Sequence, residues 1–72
     1  MKVKNKIKIM VNGKQIQVIS KFSLKSLITK LKIPLNKTAI ELNKKIIDKK
    51  RISKIYLHKG DKIEIVHFIG GG

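Results

Sequence analysis

Two histidines, four carboxylates and a run of terminal glycines are the residues of this 72-residue chain whose types bear on chemistry. His58 and His67 stand nine residues apart, without the i, i+4 spacing by which a helix presents two imidazoles to one zinc ion. Glu41, Asp48, Asp61 and Glu64 are scattered singly among lysines, the pattern of solvated or ion-paired charges rather than of an acid–base pair. The absence of cysteine excludes disulfides, thiolate metal sites and a cysteine nucleophile. Gly13 and Gly60 are isolated turn glycines, so no glycine-rich phosphate loop is written here and no motif binds ATP. The chain is expected not to be an enzyme, and to hold neither a metal nor a cofactor of its own.

What remains is the end of "IVHFIGGG". Gly70, Gly71 and Gly72 are three of only five glycines in the chain, and three in a row at ordinary glycine usage arise by chance about three times in ten thousand. Glycine removes every Cβ and maximises backbone freedom. Three such residues reach roughly 10 Å and pass a slot too narrow for side chains. The chemistry available at the tip is the α-carboxylate of Gly72, presented to another protein's active site.

Net charge is +14, which points first to a nucleic acid or an anionic membrane surface. Every basic residue except Arg51 is lysine, however, and arginine is the residue suited to bidentate phosphate and guanine recognition. Phe22, Tyr56 and Phe68 are far apart and do not interleave with the lysines as a base-stacking platform requires. The charge reads mainly as compositional drift on solvated faces, and a nucleic-acid partner is not expected. No apolar run approaches the roughly 18 residues that cross a bilayer, and "MKVKNKIKIM" has no signal-peptide core. A soluble intracellular monomer is expected, cytoplasmic or in the plastid stroma if organelle-encoded.

The elements that must position the tail follow from periodicity. Lys6 to Val11 alternates, with Ile7, Ile9 and Val11 on one face. Asn12-Gly13 suits a type I′ turn into a second strand, Gln15 to Ile19, with Ile16 and Val18 inward. Leu24, Leu27, Ile28 and Leu31 stand at helical spacing behind Ser23 as N-cap. A helix is predicted over Leu24 to Lys32, stopped by Pro34. Alternation returns from Thr38 to Leu42 with Ile40 and Leu42 inward, and Asn43-Lys44 turns into a short strand at Lys45 to Ile47. Asp48 to Leu57 is weakly periodic and reads as an irregular connection with one helical turn around Ile52 to Ile55. After the "HKGD" turn, Lys62 to Phe68 is the last strand, with Ile63 and Ile65 inward. The order β-β-α-β-β-β, with first and last strands apolar enough to pair at the sheet centre, predicts an α+β fold of the β-grasp kind. It has a mixed sheet of about four to five strands and one helix on one face. The domain is expected to cover residues 1–69, with 70–72 as a flexible tail.

"VNGK", "FSLKSLITKL", "AIELNKKII" and above all "LHKGDKIEIVHFIGGG" resemble the ThiS-type sulfur carriers of thiamine biosynthesis, ubiquitin-like β-grasp domains ending in Gly-Gly. The resemblance covers nearly the whole chain. It implies that the Gly72 carboxylate is adenylated by a ThiF-like enzyme using Mg-ATP. Sulfur from a donor such as a cysteine desulfurase relay then displaces AMP to give a thiocarboxylate, and a ThiG-like thiazole synthase receives that sulfur. Gly70 and Gly71 would enter the partner's active site. With Ile63 and Ile65 facing the helix, Glu64, Val66 and Phe68 lie on the uncovered face beside Ala39 and Glu41. Val66 and Phe68, with Ala39, Glu41 and Ile69, are expected to form the docking surface.

Two departures stand out. The family commonly has Asn-Gly and then Val-Pro-Arg where this chain reads "NKKIIDKK", and most of its members are neutral or acidic. The alternatives are a carrier like the small subunit of molybdopterin synthase, generally longer and with bulkier residues before its glycines, and a small basic RNA-binding module.

Overall fold

The computed structural model describes residues 5–68. Its strands are β1 (Lys6–Val11), β2 (Lys14–Ile19), β3 (Thr38–Leu42), β4 (Lys45–Ile46) and β5 (Lys62–His67), and its one α-helix is α1 (Leu24–Lys30). Two 3₁₀ segments, Leu35–Lys37 and Lys49–Lys54, complete the set. The sheet order is β2-β1-β5-β3-β4. β1 and β5 pair in parallel while the other neighbours are antiparallel. The chain's last strand therefore lies at the centre of the sheet beside its first, the mixed β-grasp arrangement that the apolar quality of both strands predicts.

Local chemistry explains the connections. Asn12 and Gly13 have φ of +50° and +80°, so both central residues of the β1–β2 hairpin adopt the left-handed conformation of a type I′ turn. Asn43 and Lys44 do the same between β3 and β4, at +51° and +69°, although lysine carries a penalty of about 1 kcal/mol there that glycine would not. Ser23 caps α1 by accepting the Ser26 N–H at 3.0 Å. Leu24, Leu27 and Ile28 are buried against the sheet.

The helix is shorter than its sequence predicts. It ends at Lys30 rather than Lys32, and Leu31, predicted on the buried stripe, is 37% exposed. Lys32 turns left-handed at φ +56°. Its N–H donates to the Thr29 carbonyl, and the Ile33 N–H donates to the Ile28 carbonyl, each at 3.1 Å. This pair of bonds is a Schellman closure, complete before Pro34 is reached. The stretch read as irregular is a six-residue 3₁₀ segment, not one turn around Ile52 to Ile55. Asp48 caps it by accepting the Lys50 N–H at 2.9 Å, and Ile52 buries its side chain where the segment packs on α1. β4 stops at Ile46 and β5 at His67, each one residue short of expectation. The Ile47 N–H still donates to the Ile40 carbonyl and the Phe68 N–H to the Lys37 carbonyl, both at 2.9 Å.

The core is aliphatic, as three aromatic residues in the whole chain require. Ile9, Ile28, Ile40, Ile52, Ile63, Ile65, Val18, Leu24, Leu27 and Leu57 are buried in it. Thr38 is the buried polar side chain, and its hydroxyl donates to the Pro34 carbonyl at 3.0 Å. No helix among the described residues is long and apolar enough to cross a membrane.

Candidate functional site

The end of β5 delivers the chain to residues 69–72, and it is held from both sides. Toward β1, the Met10 and Asn12 N–H groups donate to the carbonyls of Asp61 and Ile63, each at 2.9 Å. One step further the ladder continues through a side chain. The Ile65 N–H donates to Asn12 Oδ1 at 2.7 Å, and Asn12 Nδ2 donates to the Ile65 carbonyl at 3.2 Å. The carboxamide thus replaces the strand residue that the turn has removed. A strand residue points its N–H and C=O to the same side, so without Asn12 both backbone groups of Ile65 would lose their partners.

A second asparagine does the equivalent work at the start of β5. The Lys62 N–H donates to Asn43 Oδ1 at 2.9 Å, and Asn43 Nδ2 donates to Asp61 Oδ1 at 3.0 Å. Asp61 Oδ2 in turn accepts the His58 N–H at 2.8 Å. Each type I′ turn therefore clamps one end of the central strand. Sequence reasoning identified Asn12 only as a residue that tolerates positive φ and Asn43 only as part of a turn; the two-pronged contacts to residues distant in sequence left no periodic signal.

The face of the sheet opposite α1 is open. Register places Ala39 directly opposite Val66 and Glu41 directly opposite Glu64, as alternation predicts, while Ile63 and Ile65 are buried on the other face. Val66 and Phe68 are 54% and 59% exposed. Ile46, paired with Glu41, is 79% exposed and extends the apolar surface; its place beside Glu41 depends on the tightness of the Asn43-Lys44 turn, and sequence reasoning missed it. Glu41 and Glu64 bring two of the chain's four carboxylates face to face across one ladder. Such a pair is unfavourable in isolation and gives a strongly cationic protein one acidic spot.

Of the residues assigned to a site by sequence, Val66, Ala39 and Glu41 are brought together at this face, and Phe68 follows one residue beyond the end of β5 with its ring beside Lys49. Ile69, Gly70, Gly71 and Gly72 lie outside the described residues. His58 and Asp61 meet at 3.9 Å in the turn before β5, where Asp61 serves as a hydrogen-bond acceptor. Among the described residues no group of three metal-ligating side chains converges.

The fold recurs in a known protein. The ThiS of Geobacter metallireducens superposes with a TM-score of 0.80 at 26% identity, covering 92% of this chain and all of that one. Over 33 residues, 46% of this chain and 50% of the relative, the chain is 54% identical to the sulfur carrier protein ThiS of Bacillus subtilis. It is also 33% identical over 66 residues to the thiazole synthase of Paramagnetospirillum magneticum. That match takes in 92% of this chain but only 20% of the relative, so the chain spans about a fifth of the length of such a protein. A model of the ThiS family matches residues 9–72, from the middle of β1 through β5 and the glycines after it. With fold and nearly the whole sequence in agreement, the chain belongs to the ThiS family.

Proposed function

We propose that this protein is a sulfur carrier in the making of the thiazole moiety of thiamine, with the Gly72 carboxylate as the group that carries sulfur. The observation that supports this reading best is the family match, which spans residues 9–72 and so takes in both the folded body and Gly72. The matched relative named thiazole synthase contains a stretch similar to almost all of this chain, which supports an enzyme of that type as the sulfur acceptor.

The chemistry follows from what the chain has and lacks. A free carboxylate is a poor acyl donor, so it needs a leaving group. Attack of the Gly72 carboxylate on the α-phosphorus of Mg-ATP in a ThiF-like partner forms the acyl-adenylate and releases pyrophosphate. A sulfur nucleophile then attacks the acyl carbon and expels AMP. With hydrosulfide as the nucleophile the product is the thiocarboxylate, and one proton is released. A persulfide from a cysteine desulfurase relay gives an acyl disulfide, which a thiol must reduce to reach the same product. The carrier supplies reach and docking, through Gly70 and Gly71 and through Val66, Phe68, Ala39, Glu41 and Ile69, and the partner supplies the ATP site. With no cysteine in the sequence, no internal thiol attacks the activated terminus.

Expression in a Bacillus subtilis strain lacking its own carrier tests the role in cells. Growth without added thiazole, lost on deletion of Gly71 and Gly72, is the expected result. Protein that accumulates in that strain yet leaves it dependent on thiazole counts against the reading.

A further inference from the structure

Lys49 is the first residue of the second 3₁₀ segment, in a stretch whose sequence gives it no evident task. Its backbone is fixed, because Asp48 caps the segment and Ile52 anchors it in the core. Its side chain is half-buried. Nζ donates to the Leu35 carbonyl and stands 5.4 Å from the centroid of the Phe68 ring. Among the described residues no carboxylate lies within ion-pairing distance of it. The electron-rich face of the ring is thus the partner of its charge.

Phe68 is consequently gripped twice. Its N–H donates to the Lys37 carbonyl at 2.9 Å, and its ring lies under Lys49, whose other contact is Leu35. Leu35 and Lys37 are the two ends of one short 3₁₀ segment, so main chain and side chain are referred to the same rigid element. An exposed phenylalanine at a strand end ordinarily samples several rotamers. This one is 59% exposed and yet tied on one side by a cation.

We infer that Lys49 is a positioning residue. It holds the Phe68 ring in the orientation that the activating enzyme engages and so reduces the side-chain ordering that docking requires. This inference rests on the carrier reading above, and its test separates the two. Lys49→Met keeps most of the aliphatic stem and removes the charge and the N–H donors. Lys49→Arg restores a cation that stacks on rings and donates to carbonyls.

In steady-state adenylation of the full chain by a ThiF-type enzyme, Lys49→Met raises KM for the carrier about 3- to 10-fold with kcat unchanged, and Lys49→Arg returns KM to within about twofold of the parent. In the NMR spectrum of the carrier alone, the Lys49 ε-methylene protons are shifted upfield by the ring current, and the shift disappears in Phe68→Leu. Parent-like KM for Lys49→Met overturns the inference and leaves the carrier reading standing. An unshifted ε-methylene overturns it even for a chain that no such enzyme activates, whereas failure of the parent itself to be adenylated bears on the carrier reading alone.

Discussion

Phe68→Asp lowers kcat/KM for activation of the carrier by at least about 30-fold, the effect of losing a central aromatic contact of about 2 kcal/mol or more. The ring is 59% exposed and absent from the buried core, so a change of this kind leaves the fold in place. It does three things at the strand exit. It removes the largest apolar group there, takes away the face on which Lys49 rests, and adds a carboxylate beyond a ladder that already carries Glu41 opposite Glu64. Circular dichroism and urea unfolding indistinguishable from the parent, combined with the loss in kcat/KM, is the expected pair of results. Adenylation at the parental rate removes Phe68 from the docking surface.

Asn12→Gly is the second large effect, and it concerns stability. Glycine adopts φ near +50° without strain, so the hairpin turn itself survives. What is lost is the carboxamide that accepts from the Ile65 N–H and donates to its carbonyl. Leaving a partly buried donor and acceptor unpaired costs about 2–3 kcal/mol, a large share of the roughly 4–10 kcal/mol expected of a chain this size. Urea unfolding should show the loss as a lower midpoint at unchanged m. The Ile65 amide should exchange with solvent faster relative to that of Ile63, whose carbonyl is bonded to the Asn12 backbone instead. Parental stability and parental protection of Ile65 would mean that the side chain is dispensable and that β5 is held by its backbone ladders alone.

These residues also show where sequence is informative and where it is not. Strands and helix were legible because burial imposes a period. The alternation of Ile63 and Ile65 with Glu64 and Val66 fixes which face of β5 is inward, and from that the neighbours Ala39 and Glu41 follow. The turn asparagines were legible as backbone and illegible as side chains, since nothing local distinguishes a carboxamide in solvent from one that extends a ladder to Ile65. The end of α1 was misplaced because Pro34 is a visible stop, whereas a lysine in the left-handed conformation at position 32 is not. The 3₁₀ segment, the exposed Ile46 and the Lys49 contact were hidden for a similar reason. They depend on tertiary placement of residues whose types are commonplace throughout this lysine- and isoleucine-rich chain.

The +14 charge is compatible with a docking role once its distribution is considered. The two glutamates paired across β3 and β5 sit beside Val66 and Ala39, so the face next to the strand exit carries carboxylates among its lysines. A partner need not be strongly acidic to meet it.

The central claim is that Gly72 is the point of sulfur attachment, and the mass of the intact protein tests it most directly. After incubation with a ThiF-type enzyme, Mg-ATP and sulfide, the full chain should gain the mass difference of one oxygen exchanged for one sulfur, and a chain lacking Gly72 should gain nothing. An unchanged mass in the presence of an enzyme that consumes ATP on adding this carrier, or the same gain in the chain without Gly72, would contradict the account.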